Sequence, residues 1–200
     1  MIFGKQNKKM LLKFIAAAVV IMSFALPSSA AEPWGLSQLM IDLGRVKEAR
    51  ATFIERKFLK VLNTPLESSG KLIYIAPFRL EKYTLAPKPE SMVVEQDTLT
   101  LERGGRKRTL QIQDYPVLWA FVESIRGTLK GDLSALRQFY QVELSGTQQA
   151  WQLALQPIDK KMIALIKTIK LQGSKERLNG IEIIEAEGDR SVMTVTDDPS

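Results

Sequence analysis

Two runs of strictly alternating residues flank Gly104-Gly105. They are Thr98-Leu99-Thr100-Leu101-Glu102-Arg103 and Arg108-Thr109-Leu110-Gln111-Ile112-Gln113. Alternation suits a strand with one covered face, and a two-residue glycine turn between two such runs predicts a β-hairpin. Period two dominates most of the remaining sequence. Ala51 to Leu62, Lys71 to Ala76, Arg79 to Leu85 and Ser91 to Glu95 read as strands before the hairpin. Phe139–Leu144, Trp151–Gln156, Leu165–Leu171, Leu178–Glu185 and Val192–Thr196 read as strands after it, with Ser145-Gly146, Gly173-Ser174 and Gly188-Asp189 as turns. Tight turns imply antiparallel pairing, and about eleven twisted strands tend to curl. The expected fold is mainly β: a curved antiparallel sheet, an unclosed half-barrel, with helices as plug or lid.

The helical segments are few. Leu36, Leu39, Met40, Leu43 and Val46 form one apolar stripe, interrupted by Gly44 at a cost of about 1 kcal/mol. A second helix is expected from near Asp114, which can cap it, with Pro116 in its first turn. Leu118, Phe121, Val122, Ile125 and Leu129 make its stripe, with Trp119 at the edge. Asp132 can cap a short helix through Arg137, and Asp159 a single turn. No repeat or linker divides the chain, so residues 31–200 read as one domain.

The first thirty residues stand apart. Lys5, Lys8, Lys9 and Lys13 precede an apolar run from Phe14 to Leu26, and Pro27-Ser28-Ser29-Ala30 follows. This is the layout of a secretory signal peptide, with cleavage expected after Ala30. The run is shorter than the ~20 residues a bilayer span needs. Its removal takes four basic and no acidic residues, so the net charge falls from +6 to +2. Such a balance gives no argument for nucleic acid. The new N-terminus would be Ala31, and without cysteine it has no residue to carry a lipid anchor. The expected product is a soluble, monomeric periplasmic protein.

The chain contains neither histidine nor cysteine. Hydrolysis by a serine or cysteine with a histidine base is excluded, as are zinc sites of the usual kinds. No glycine-rich phosphate loop follows a strand. Glu55, Glu81, Glu95 and Glu102 fall on alternating strand positions and read as a solvated outer face. The basic group Arg103, Arg106, Lys107 and Arg108 reads as a solvated hairpin tip or as a docking patch for an acidic partner. No metal, cofactor or catalytic residue is expected.

The stronger signal is apolar. Phe53, Leu72, Tyr74, Phe78, Leu80, Met92, Val94, Leu99, Leu101, Leu110 and Ile112 lie on or beside the first strands. Leu118, Trp119, Phe121, Val122 and Ile125 lie on the inserted helix, and Phe139, Trp151 and Leu153 follow it. These residues either pack a solid core or line a lipid-sized cavity closed by the helices. Periodicity leaves both readings open.

The order of elements resembles the outer-membrane lipoprotein carriers of the LolA type. The matching stretches are the helix before Ala51-Thr52-Phe53-Ile54-Glu55-Arg56, then Ser69-Gly70-Lys71-Leu72-Ile73-Tyr74 leading to Pro77. They continue with Ser91-Met92-Val93-Val94 paired with Thr98-Leu99-Thr100-Leu101, and Leu155-Gln156-Pro157 leading to Leu165–Leu171. Gly180-Ile181-Glu182-Ile183 then leads to Gly188-Asp189-Arg190-Ser191. The resemblance implies a helical lid over an apolar cavity and a periplasmic carrier that shields acyl chains. Its cargo would be a lipoprotein or another acylated lipid, passed from an inner-membrane donor complex to an outer-membrane acceptor. A lipid-binding or envelope-sensing module on the same scaffold is the alternative, and an enzyme acting on lipid a third. Carriers of this type commonly place a lid-contacting arginine just before the strand-ending proline. Here that position is Ala76, and Arg79, two residues beyond Pro77, is the candidate lid contact. The chain also ends soon after the Val192–Thr196 strand, without the further strand and loop that some members use.

Overall fold

The computed structural model describes residues 34–198; the expected signal peptide lies outside them. A helix, α1 (Leu36–Gly44), leads into six strands: β1 (Glu48–Phe58), β2 (Leu66–Ile75), β3 (Arg79–Ala86), β4 (Glu90–Glu95), β5 (Thr98–Arg103) and β6 (Arg106–Gln111). A 3-10 turn at Ile112–Asp114 precedes α2 (Pro116–Lys130) and α3 (Leu133–Phe139). Strands β7 (Tyr140–Thr147) and β8 (Ala150–Pro157) are followed by the single turn α4 (Lys160–Ile163). The last strands are β9 (Ile166–Ser174), β10 (Arg177–Glu185) and β11 (Arg190–Asp197).

All eleven strands join one sheet in the order β6-β5-β4-β3-β2-β1-β11-β10-β9-β8-β7. Every pairing is antiparallel, as the short turns require. Strand β1 is the seam, pairing with β2 on one side and β11 on the other, so Phe53 faces Gly70 and Val195. The edges, β6 and β7, do not pair with each other, and the sheet stays unclosed. The helical segment runs from one edge to the other, which is why helices inserted in mid-sequence become a cover for the sheet.

The local chemistry follows the sequence closely at the turns. Gly104 and Gly105 both have positive φ, 57° and 74°, and close the expected hairpin with Arg103 opposite Arg106. Asp132 caps α3 by accepting the Ala135 N–H at 3.0 Å, and Asp159 caps α4 through Lys161 and Met162. The start of α2 differs from expectation. Asp114 belongs to the 3-10 turn and caps nothing; Pro116 opens the helix, and Tyr115 before it (φ −125°, ψ 82°) is neither helical nor extended and makes no side-chain cap bond. The proline ring disfavours helical backbone in the residue before it, so the helix begins at Pro116 itself. Strand β1 stops at Phe58 rather than Leu62, because its partner β2 starts earlier than Lys71, with Leu66 opposite Lys57.

Two apolar clusters hold the helices on the sheet. The larger joins Leu39, Met40 and Leu43 of α1 and Ala120 and Leu136 of the later helices. Against them pack Tyr140, Trp151, Leu153, Leu155, Ile169 and Leu171 of β7 to β9. The smaller joins Val94, Leu99 and Ile112 to Val122 of α2. The Tyr140 hydroxyl donates to the Ala120 carbonyl at 3.0 Å, a buried bond between sheet and helix.

Candidate functional site

Between the sheet and α2 lies a cavity of about 940 Å³. Its floor is built from cross-strand rows. Ala49, Tyr74, Leu80 and Val94 are successive partners across β1 to β4, as are Ala51, Leu72, Lys82 and Met92. On the other side of β1, Met193 and Val195 of β11 and Ile181 and Ile183 of β10 continue the floor. Phe121, Val122, Ile125 and Leu129 of α2 form the roof, with Leu43 of α1 and Val46 beyond it. The seam strand contributes two small side chains to this wall, Ala49 and Ala51.

Of the residues expected on the wall, Leu72, Tyr74, Leu80, Met92, Val94, Phe121, Val122 and Ile125 line this cavity. Others do not reach it. Leu99 and Ile112 fill the smaller cluster, with Leu101, Leu110 and Leu118 packed beside them. Trp151 and Leu153 are in the larger cluster, where the Trp151 indole N–H donates to the Lys175 carbonyl at 2.8 Å. Phe53 is buried across the ladder from Gly70; a Cβ on that glycine would lie 3.0 Å from the Phe53 ring and 1.8 Å from the Tyr83 carbonyl. Phe78 sits outside the cavity, below the cations of Arg126 and Lys130.

Two carboxylates also depart from the expected solvated face. Glu95 and Glu102 are exposed, but Glu55 and Glu81 are buried. Glu81 is covered by Arg79, whose Nε lies 2.5 Å from it, and by Tyr83. Burial raises its pKa, but the bonds from Tyr83 and Arg79 outweigh that and hold it below the ordinary carboxylate value. Glu55 is on the cavity wall and only 6 % exposed. Its Oε2 accepts Lys82 Nζ at 2.5 Å and Ser68 Oγ at 3.5 Å, and its Oε1 accepts Ser191 Oγ at 2.7 Å. Lys57 Nζ is 3.7 Å away. Burial pushes the Glu55 pKa up, and the Lys82 and Ser191 bonds pull it further down, so the group is held below its ordinary 4.5. Lys82 Nζ also lies 4.8 Å from the centre of the Phe53 ring.

The candidate lid contact, Arg79, is bonded within the sheet. Arg79 pairs with Glu81 and with Glu95 at 2.9 Å, both strand carboxylates. Instead Arg126, buried on α2, donates to the Gln96 carbonyl at 2.5 Å in the β4–β5 turn, pairs with Glu123 and lies 3.9 Å from Asp97. Together with Phe78 it ties the roof to the rim of the floor. Sequence reading missed Arg126 because an arginine at a helical position is ordinarily solvated; the signal for it was its place one residue after Ile125, on the flank of the apolar stripe. Among the described residues no cluster of three or more ligating side chains is placed to hold a metal ion.

The family described as "Outer membrane lipoprotein carrier protein LolA-like" matches residues 28–196. No curated protein matches the chain. Among solved structures, a LolA superfamily protein from Nitrosomonas europaea is 8% identical, with TM-score 0.45, covering 82% of this chain and 92% of that one. A MucA/MucB complex from Pseudomonas aeruginosa gives 15% identity and TM-score 0.45, covering 82% of this chain and 58% of that one. A putative outer membrane lipoprotein-sorting protein domain from Vibrio parahaemolyticus gives 10% identity and TM-score 0.43, covering 82% and 92%.

Proposed function

The chain belongs to the LolA-like family of outer membrane lipoprotein carrier proteins, and we propose that it is a periplasmic carrier that shields acyl chains in the cavity under α2. The acyl chains belong to a lipoprotein or another acylated lipid, received from an inner-membrane donor and delivered to an outer-membrane acceptor. The observation that supports this most is the cavity itself. Its volume of about 940 Å³ is bounded mainly by aliphatic side chains from six strands and two helices. Each methylene moved from water into such a space gains ~0.8 kcal/mol, so a long chain is held without any covalent step. The work is enclosure, and no group on the wall is assigned a catalytic role.

Native mass spectrometry of protein purified from its own envelope tests the reading. The expected result is a mass increment that organic extraction removes and identifies as an acylated compound. Repeated recovery of unliganded protein that also fails to take up acyl compounds in vitro would overturn it. A two-liposome assay then separates carriage from sensing. A carrier moves labelled lipid from donor to acceptor vesicles, whereas a sensor binds it and moves none.

A further inference from the structure

Resting on the reading of the cavity as an acyl-chain site, we propose that Lys82, seated between Glu55 and the Phe53 ring on the cavity wall, docks the anionic headgroup of an acyl amphiphile. The headgroup is a carboxylate or a phosphate, and the chain lies along the aliphatic floor beneath α2.

Three observations carry this. First, the ammonium is placed by construction. Gly70 has no side chain, so the Phe53 ring lies against β2, and Lys82 on β3 reaches over that ring to Glu55 on β1. Second, Lys82 and Lys57 share the single carboxylate of Glu55. Third, Glu55 does not depend on Lys82 alone, because Ser191 and Ser68 also donate to it. A lysine ammonium has three donors. Lys82 gives one to Glu55, and its side chain is 25 % exposed at the cavity, so a further N–H is available to an incoming oxyanion. A cationic head, in contrast, would have to displace two lysines from Glu55.

The test uses the full mature chain and a neutral naphthylamine fluorophore held in the cavity. Hexadecanoate, hexadecanol and hexadecyl phosphate are compared as competitors below their micellar concentrations, with inorganic phosphate as the free-anion arm. The expected result is that the two anionic amphiphiles displace the fluorophore at about tenfold lower concentration than the alcohol. Inorganic phosphate has no effect. In Lys82→Met the ratio falls to about one, and Lys82→Arg retains it. Because Lys82→Met leaves Glu55 without its main partner, the neutral pair Glu55→Gln with Lys82→Met is measured alongside in a Lys57→Met background, so that no unpaired lysine remains beside the site, and it too is expected to show a ratio near one. Equal displacement by acid and alcohol in the unaltered protein, or an undiminished preference in the neutral pair, overturns the headgroup assignment and leaves the carrier reading standing. Displacement by inorganic phosphate alone makes the site one for free anions and overturns it as well. Failure of every acyl compound to compete overturns both.

Discussion

The two halves of the sheet carry the same alternation and use it differently. On β8 and β9 the inward positions are Trp151, Leu153, Leu155, Ile169 and Leu171, all essentially excluded from water and packed against α1 and the later helices. Around the seam Ala51 is buried and Ala49 exposed, while Leu72, Ile181 and Met193 are only partly buried, and all five border the cavity. The difference is one of side-chain volume at a few positions, not of backbone. A curved sheet with helices laid across it has a fixed gap to fill. Where large side chains face the helices the gap becomes core, and where alanines face them it becomes a cavity. Natural interiors are close-packed, so an unfilled apolar gap of this size is itself a statement about use.

Truncating each half breaks the comparison most strongly. Trp151→Ala is expected to cost about 3–5 kcal/mol, since it empties a filled site and orphans the bond to Lys175. Leu72→Ala, which enlarges an existing cavity, is expected to cost well under half of that. Urea midpoints of the two variants check this, and equal losses would mean that the seam is as tightly packed as the rest.

Filling the gap sharpens it. Ala51→Trp places an indole in the cavity and is expected to weaken acyl-chain binding at least tenfold, on the order of 1.4 kcal/mol, with little loss of stability. Displacement of a bound fluorophore and a thermal melt together report both effects.

A smaller effect separates the polar part of the cavity from its apolar floor. The Glu55 pKa in the folded protein is below its ordinary 4.5. Its contribution to stability is therefore complete above that value and is lost as pH falls through the folded-state pKa. Stability measured in urea from pH 7 down to pH 3 should decline less steeply for Glu55→Gln than for the unaltered chain. Identical slopes would mean that Glu55 is not held by its partners.

Much of this was legible in sequence. The Gly104-Gly105 hairpin, the caps at Asp132 and Asp159 and the number of strands follow from local rules that act over a few residues. The cavity was harder to read, because whether alternating leucines and phenylalanines fill a gap or line it depends on what lies opposite. Leu99 and Ile112 meet Val122 and become core, while Leu72 meets Ala51 and becomes wall. The contribution of β10 and β11 was missed although Ile181/Ile183 and Met193/Val195 alternate plainly, because β1, the partner of β11, lies more than a hundred residues away and β10 reaches the seam only through β11. Glu55 and Glu81 looked solvated because a charged residue on a strand usually is. Only the arrival of Lys82 from β3 and Ser191 from β11 makes a buried carboxylate tolerable at Glu55, and neither pairing is a local property.

The most direct measurement is the position of a bound chain. A fatty acid carrying a diazirine in mid-chain, irradiated in complex with the protein and mapped by peptide mass spectrometry, marks the side chains it touches. Labels are expected on peptides containing Ala51, Leu72, Met193 and the Phe121–Leu129 face of α2. Labels confined to the β8–β9 face, or to exposed residues such as Val61 and Leu62, would contradict an acyl chain held at the seam.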